Sequence, residues 1–389
     1  LMGLAVLAYT VVGGIAAVTW TDFQQMLVMF AGVFIALVSA VLLLPGDTSL
    51  GDALTLAGAT GRLNPVVFRF DPSDQFNIWT GVFGGMFLAL AYFGTDQSQV
   101  QRYLTGKSIA QSRLSLLFNA VAKIPMQFAI LLTGVLVFVF YTFEKPPLLF
   151  DPNAMKDLQS RSEGQDLQRR FDAAWTERRE IASEYLRTRN WTELEAYRAA
   201  SLRLDRVRKD AGAADTNYIF LTFVTRYLPA GIVGLIMAAI FAAAMSTISA
   251  EVNSLATVSV VDVYRRFLKP GASDGHYLAA SRIFTAFWCL YAIVTAQFAT
   301  GLGSLIVVVN RLGSYFYGGM LGVFTLAFFF PRVGGTAAFI AVLLGEAAIL
   351  VASRYTPAFL WYNVIGAIVV VLSGVLLSIV FPRENRLSS

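Results

Sequence analysis

Cysteine, histidine and charged residues are scarce in this chain of 389 residues. Its single cysteine, Cys289, excludes an intramolecular disulfide and a cysteine-based metal cluster. Its single histidine, His276, has no ligand-like neighbours for a zinc site. Charged residues make up 14% of the chain, against about 25% in soluble domains, and apolar residues make up 56%. This composition excludes an ordinary soluble protein, a disordered chain, collagen and a coiled coil.

Half of the charge lies in one segment, residues 143–215, which holds 28 of the 55 charged side chains, 14 of each sign. The net charge of +5 therefore arises outside this segment. Basic residues collect in the cytoplasmic loops of membrane proteins, so this charge does not require a polyanionic partner. We expect no nucleic-acid partner.

Nine apolar runs are long enough to cross a lipid bilayer, which takes about 20 apolar residues. The predicted spans are Leu1–Val18, Phe23–Leu44, Ile78–Val100, Leu114–Tyr141, Leu228–Val263, Ala279–Thr300, Leu305–Phe330, Thr336–Ala352 and Ala358–Phe381. They predict an all-α, multi-pass membrane protein. The first run lacks the basic segment and cleavage site of a signal peptide. Because Leu1 opens inside an apolar run, we interpret the chain as the C-terminal part of a longer protein.

Basic residues in the short loops predict the orientation. One set of loops contains nine of them: Arg102, Lys107, Arg113, Arg265, Arg266, Lys269, Arg332, Arg383 and Arg386. The opposite set contains three: Arg62, Arg69 and Arg354. This bias predicts a protein of the inner (plasma) membrane with a cytoplasmic C-terminus. Nine spans then place Leu1 and the charged 143–215 insertion outside.

The charged insertion has the pattern of a helical hairpin. Leu167, Phe171 and Trp175 recur every four residues, which keeps them on one helix face. Thr192 and Glu195 form a capping-box signature that predicts the start of a second helix. The apolar face of that helix continues through Leu194, Tyr197, Leu204 and Val207. Two interpretations stay open: a solvated hairpin over part of the outer face, or a lid that captures substrate.

Polar residues inside apolar runs are costly in lipid and are therefore candidates for function. Asp22, in the pair Thr21-Asp22, begins the second span, where it either caps the helix or faces a cation. The third span contains four glycines followed by Thr95-Asp96-Gln97, which favours a discontinuous helix that frees backbone groups for ions and substrates. We expect the break at Gly84–Gly85 or within Leu88–Gly94. Close helix packing would equally explain the glycines.

The span Leu228–Val263 contains two stripes of polar residues at helical spacing. One stripe is Ser246, Ser249, Asn253 and Thr257, and the other is Thr247, Glu251 and Ser254. Hydroxyl and carbonyl oxygens can replace the hydration shell of an ion such as Na⁺. Hydrogen bonds between helices would give the same composition. Lys123, Asn310–Arg311 and Glu346, in other spans, also fit buried pairs or snorkelling end residues.

Three stretches together resemble the sodium/solute symporter family, which includes carriers of proline, glucose and monocarboxylates. They are YTVVGGIAAVTWTDFQQ (Tyr9–Gln25), FGTDQSQVQRYLTGKS (Phe93–Ser108) and AAAMSTISAEVNS (Ala242–Ser254). The resemblance covers nearly everything outside the insertion and implies a core of two inverted five-helix repeats. A chain that begins at Leu1 would lack the first three helices of the first repeat.

The resemblance also implies a division of the chain into segments. These are the end of the first repeat (1–44), an external loop (45–77), two helices of the second repeat (78–142), the external hairpin (143–215), the remaining helices of that repeat (216–330) and two peripheral helices (331–389).

By resemblance, the chain binds Na⁺. The Ala243 carbonyl and the hydroxyls of Ser246 and Thr247 correspond to the common sodium site of the family. Asp22 and Ser249 correspond to a second sodium site or to an exit path for the ion. Ala250 departs from the pattern at that second site, because a serine hydroxyl is expected there.

The resemblance also identifies a substrate site. Tyr92, with its neighbour Phe93, matches the aromatic gate on the cytoplasmic side, and Lys123 and Asn310 match substrate-contact positions. We expect Tyr92, Lys123 and Asn310 around one cavity, with the Ser246 helix behind it. Ala89 replaces an asparagine found in a sugar carrier. The run from Gln97 to Leu104 is nearest to the monocarboxylate, vitamin and iodide branch, which favours a small anionic solute.

The functional prediction is therefore a sodium-coupled symporter of a small organic solute, with the lipid bilayer as its other partner. The alternatives are a membrane sensor module of the same family, or a symporter of a sugar or an amino acid. An enzyme is not expected, because the sequence has no catalytic triad, phosphate loop or metal-ligand cluster. A channel would need a continuous polar lining, whereas these polar positions cluster near one depth.

Overall fold

The computed structural model describes residues 2–45, 48–64, 66–104, 106, 108–213, 215–298 and 305–382. The side chains of residues 13–17, 104 and 305 also lie outside the description. Five residues used in the predictions of spans, chain start and orientation are not among those described: Leu1, Lys107, Thr300, Arg383 and Arg386.

The described chain is helical apart from its loops and one isolated antiparallel bridge between Val333 and Pro382. The helices are α1 (Met2–Leu42), α2 (Leu50–Ala59), α3 (Gly85–Thr95), α4 (Gln97–Leu104), α5 (Ile109–Phe143), α6 (Pro152–Ser160), α7 (Gly164–Thr188), α8 (Trp191–Asp210), α9 (Thr216–Tyr227), α10 (Ala230–Val258), α11 (Asp274–Ala296), α12 (Leu305–Phe329), α13 (Gly335–Tyr355) and α14 (Leu360–Val380). Two segments have π-helical hydrogen bonding: Thr80–Gly84 before α3 and Ser259–Leu268 after α10.

Seven stretches of described helix are long and apolar enough to cross a membrane, and Met2–Val12 and Thr80–Thr95 are shorter apolar helices. The seven are Val18–Leu42, Ile109–Phe143, Ala230–Leu268, Asp274–Ala296, Ile306–Phe329, Gly335–Tyr355 and Leu360–Val380. The predicted all-α, multi-pass class is confirmed.

The predicted boundary between the first two spans is wrong. Helix α1 runs for 41 residues from Met2 to Leu42, so Val18 and Phe23 both lie inside it. At 1.5 Å per residue its contour is about 60 Å, twice the thickness of the hydrocarbon core. The count of nine spans that placed Leu1 outside assumed a loop at this point.

The predicted break in the third span is also wrong in position. Around Gly84–Gly85 the chain stays helical, passing from π-helical to α-helical hydrogen bonding, and α3 continues unbroken through Leu88–Gly94. The interruption comes at Asp96, whose backbone is extended, with α4 beginning at the next residue. Gly84 instead makes a close packing contact, since a Cβ there would lie 2.7 Å from the Leu360 carbonyl oxygen.

The described chain divides into two compact units. The first comprises Leu1–Asn64 and Arg113–Ser304, and its core joins α1, α2, α5, α7, α8, α9 and α10. The second comprises Pro65–Ser112 and Leu305–Ser389, in which α12, α13 and α14 pack together and α3 contacts α12 and α14.

The charged insertion folds as two long helices, α7 and α8, that pack against each other. Leu167, Phe171 and Trp175 are all buried in its core, as their spacing predicts. The predicted capping box is wrong: α8 begins two residues earlier, and the side chain of its N-cap residue, Asn190, accepts a hydrogen bond from the Thr192 backbone N–H. Glu195 pairs with an arginine of the next turn.

Candidate functional site

Asp22 and Ser246 meet where α1 packs on α10. The Ser246 hydroxyl donates to Asp22 Oδ1 at 2.6 Å, across 224 residues of sequence. Hydroxyl-to-carboxylate bonds of this length belong to the strong, charge-assisted class. Asp22 lies in the middle of α1 rather than at its start, so the interpretation of Asp22 as a helix cap is wrong. Its carboxylate instead ties two helices together.

Thr247 turns away from this contact. Adjacent residues of an α-helix point about 100° apart. The Thr247 hydroxyl is exposed and donates to the Ala243 carbonyl at 3.1 Å. The structure therefore brings Ala243 and Thr247 together, and separately brings Ser246 to Asp22. Each hydroxyl donates its proton and keeps lone pairs with which it could accept a cation.

Ser249 continues the polar stripe into the interior. It is fully buried, and its hydroxyl donates to the Ser246 carbonyl at 3.0 Å. One turn further, Asn253 is 7% exposed, and its amide nitrogen has no hydrogen-bond partner among the described residues. The stripe Ser246, Ser249 and Asn253 is thus the polar side of a helix that faces protein.

A second contact between α1 and α10 was not predicted. The Tyr9 hydroxyl donates to the Met245 carbonyl at 3.2 Å. Tyr9 and Asp22 are 13 residues apart, about 20 Å along a straight helix, yet they contact adjacent residues of α10. The long Tyr9 side chain covers part of this distance, and the two residues hold α1 to the same turn of α10.

Tyr92 lies in the second unit, one turn before the interruption at Asp96. Its hydroxyl accepts a hydrogen bond from the Gln99 side-chain amide at 2.8 Å, so Tyr92 and α4 are linked across the break. The Phe93 ring meets the Tyr92 ring edge-on, with centroids 5.0 Å apart. The Tyr317 ring also lies edge-on to Tyr92, with centroids 6.4 Å apart. Gln99 is 8% exposed and was not among the predicted site residues.

Asp96 explains the position of the interruption. Its carboxylate accepts bonds from the backbone N–H of Ser98 at 2.8 Å and from the Ser98 hydroxyl at 2.6 Å. These bonds satisfy the start of α4, as an N-cap does. A sequence signal was present, because aspartate is among the residues preferred at the N-cap of a helix.

Lys123 and Asn310 lie in different units, and their predicted role in a substrate site stays a prediction. Lys123 is exposed on α5 in the first unit. Asn310 is half-buried on α12 in the second unit, and its side-chain amide donates to the Ile306 carbonyl at 2.7 Å. The substrate cavity predicted around them and Tyr92 would join residues of both units, and it stays a prediction.

The first unit therefore contains two polar contacts between α1 and α10, and the second unit contains a helix interrupted at Asp96. A family model described as the sodium:solute symporter family matches residues 1–155 and 204–345. The chain belongs to the sodium:solute symporter family. The model leaves residues 156–203 and 346–389 unmatched. The first of these stretches falls in α6, α7 and α8, so much of the charged hairpin is an addition to the family pattern.

Curated relatives of this chain have different substrates in their names. The human sodium/iodide cotransporter is 38% identical over 147 residues, which is 38% of this chain and 22% of that protein. The Vibrio parahaemolyticus sodium/glucose cotransporter is 25% identical over 351 residues, 88% of this chain and 54% of that protein. A sodium/sialic acid symporter of Proteus mirabilis is 25% identical over 403 residues, 100% of this chain and 66% of that protein. The chain spans about half the length of the relatives that it matches over most of its own length.

A solved structure has the same fold. It is a Na⁺-coupled sialic acid symporter in a substrate-bound, outward-open state, with a TM-score of 0.67 and 22% identity. The match covers 99% of this chain and 67% of that one.

Proposed function

We propose that this protein is a sodium-coupled symporter of a small organic solute. The observation that carries the proposal is the 2.6 Å hydrogen bond from Ser246 to Asp22. It joins the Thr-Asp motif of α1 to the serine stripe of α10, the two regions that the resemblance assigns to sodium. Membership of the symporter family supports the same activity.

In this proposal Na⁺ is held by the Ala243 carbonyl and the hydroxyls of Ser246 and Thr247. Asp22 acts on the ion through Ser246. A carboxylate that accepts a hydrogen bond from the serine hydroxyl polarises it, and the serine oxygen becomes a stronger electron donor to the ion. Asp22 and Ser249 form either a second sodium site or the path by which the ion leaves. Tyr92 and Phe93 close the substrate site, and Lys123 and Asn310 contact the solute.

For the solute, we propose a small organic anion such as a monocarboxylate. The 38% identity to a sodium/iodide cotransporter over 147 residues supports this choice, as do matches to multivitamin and monocarboxylate transporters. Glucose and sialic acid symporters match over more of the chain, so a sugar is the second candidate. We also propose insertion in the plasma membrane, with the C-terminus cytoplasmic and the insertion external.

Sodium binding is tested on the purified chain by thermal unfolding in NaCl, KCl and choline chloride at equal ionic strength. We expect Na⁺ alone to raise the melting temperature in a saturable way. Ser246→Ala or Thr247→Ala should raise the half-saturating Na⁺ concentration at least tenfold, or about 1.4 kcal/mol, because the ion loses an oxygen ligand.

Thr225→Ala is the matched control. Thr225 is exposed on α9 and, like Thr247, donates to the carbonyl four residues earlier, at 2.9 Å. Equal Na⁺ affinity in all four proteins would contradict the sodium site. Substrate class is then tested by uptake into proteoliposomes under a Na⁺ gradient, with pyruvate, pantothenate, glucose, proline and sialic acid compared. Uptake that does not need Na⁺ would contradict symport.

A further inference from the structure

A cavity of about 360 Å³ lies where α8 meets the end of α2 and the membrane helix α5. Three arginines line it: Arg62 after α2, Arg178 on α7 and Arg198 on α8. All three belong to the first compact unit. Arg178 and Arg198 lie in the part of the hairpin that the symporter family model does not match, so the family pattern assigns no role to them.

Arg178 is the central group of this cavity. It is 5% exposed, and its Nη2 donates to the Tyr141 carbonyl at 2.6 Å. Its Nε has no hydrogen-bond partner among the described residues. A buried donor left unpaired costs about 1–3 kcal/mol, and more in a charged group. An acceptor that reached this nitrogen would remove this cost.

A second buried group in the cavity is also unsatisfied. Ser201 is 8% exposed, and its hydroxyl has no partner among the described residues. Ser201 and Arg178 lie on different helices, α8 and α7, and both line the same space. The lining therefore includes a guanidinium and a hydroxyl, which are groups that donate hydrogen bonds to oxyanions.

The charges around the cavity favour an anion as well. Two guanidiniums lie near one aromatic ring: the Cζ of Arg62 is 3.9 Å from the Phe138 centroid and that of Arg178 is 5.7 Å away. Arg198 is paired with a carboxylate, since its Nη1 donates to Glu195 Oε1 at 2.6 Å. Asp205 also lines the cavity and is exposed. The lining therefore has three cations and one carboxylate, with the buried cation beside the ring.

We propose that this cavity binds the oxyanion, carboxylate or phosphate, of a small amphiphilic molecule, with Arg62, Arg178 and Ser201 as its ligands and Phe138 against its apolar part. Two sources have this chemistry, a dissolved organic anion and the headgroup of an anionic lipid. The site lies outside the proposed sodium and substrate positions, and its occupation does not require transport.

The test is isothermal titration of the full chain in phosphatidylcholine nanodiscs with potassium succinate and potassium phosphate, at constant ionic strength and without Na⁺. We expect saturable binding of one equivalent. Arg62→Gln should raise the dissociation constant at least tenfold, and Ser201→Ala about threefold. Arg62 is exposed and the Ser201 hydroxyl is unbonded, so neither variant should unfold the protein, and melting temperatures check this.

Arg206→Gln is the matched control, because Arg206 is exposed on the same helix, outside the cavity lining, and its loss changes the net charge equally. Equal weakening in Arg206→Gln would overturn the site, and so would the absence of saturable binding in discs both with and without phosphatidylglycerol. If phosphatidylglycerol competes with the soluble anions, and Arg62→Gln abolishes the competition, the headgroup phosphate is the occupant. Loss of Na⁺ binding alone would contradict the proposed symport and leave this site intact.

Discussion

The charged hairpin and helix α10 bury opposite kinds of side chain. In α7 the large apolar residues Leu167, Phe171 and Trp175 are buried at 7%, 0% and 7% exposure. In α10 large apolar residues such as Phe241 lie exposed at 45%, whereas Ser249 is fully buried. A hairpin that water surrounds must hide its apolar face. Lipid is as apolar as leucine, so a membrane helix gains little by hiding apolar residues and places its polar groups inward.

The same contrast determines which residue types indicate, from the sequence, the side of a helix that faces protein. Apolar spacing identifies the inner face of the hairpin, whereas it does not distinguish lipid-facing from protein-facing sides of α10. There the serines carry the information, and they mark the side that meets α1 through Asp22. Stability should accordingly depend on apolar volume in the hairpin and on polar contacts and small residues in the membrane helices.

The largest expected effect is Phe171→Ala in the hairpin. Removing a fully buried phenylalanine should cost about 3–5 kcal/mol, since it leaves a cavity in the core. Hydrogen exchange of the α7 amides, followed as a function of urea, measures the free energy of local opening.

Phe287→Ala on α11 is the matched control, because Phe287 is 54% exposed. Its replacement should lower the free energy of local opening of α11 by less than about a quarter of the change that Phe171→Ala causes in α7. Equal costs would mean that the hairpin and the membrane helices are stabilised in the same way.

The next effect is the coupling between Asp22 and Ser246. A double-mutant cycle with Asp22→Asn and Ser246→Ala, read by thermal unfolding, should give an interaction energy of about 1.5–3 kcal/mol, the range for hydrogen bonds to charged groups. Thr247→Ala should show almost none with Asp22→Asn, because Thr247 donates within its own helix. A Ser246 coupling no larger than that of Thr247 would make the contact energetically unimportant.

These contacts also mark how far the sequence could predict the structure. The helical class, the hairpin face and the approach of the Thr-Asp motif to the serine stripe could be predicted. The continuity of α1 through Val18–Phe23 could not, since the polar pair Thr21-Asp22 is typical of a loop or a helix start, and only the contact with Ser246 of α10 shows how a helix holds Asp22 in its interior. In the third span, glycines drew attention because they lower the cost of leaving helical geometry. The interruption lies at Asp96 instead, because its carboxylate accepts a hydrogen bond from the Ser98 backbone N–H, which has no partner within the new helix.

A smaller effect separates the two interpretations of the glycines. Gly84→Ala should destabilise the second unit by about 1–3 kcal/mol, because the new methyl would press on Leu360 of α14. Gly85→Ala is the matched control: no atom lies within 4 Å of its Cβ position, and alanine in a helix should stabilise by about 0.5–1 kcal/mol. Exchange of the α14 amides measures both. Opposite signs would confirm Gly84 as a packing residue, and equal signs would contradict it.

The smallest effect lies at the contact between the hairpin and α2. The Ser49 hydroxyl and backbone N–H donate to Asp52 and hold the pKa of its carboxyl below the usual value, with a further contribution from Arg189 of the hairpin. A carboxyl with a lowered folded-state pKa stabilises fully above its unfolded pKa of about 3.9 and loses this contribution as the pH falls below it. Between about pH 5 and pH 2, protection of the α2 amides, corrected for intrinsic exchange, should therefore decline. Asp52→Asn should remove the dependence, because the group that titrates is gone. Asp71→Asn, which removes another carboxyl of lowered pKa in the second unit, should leave the protection of α2 unchanged. An unaltered pH profile in Asp52→Asn would assign the acid sensitivity to a different group.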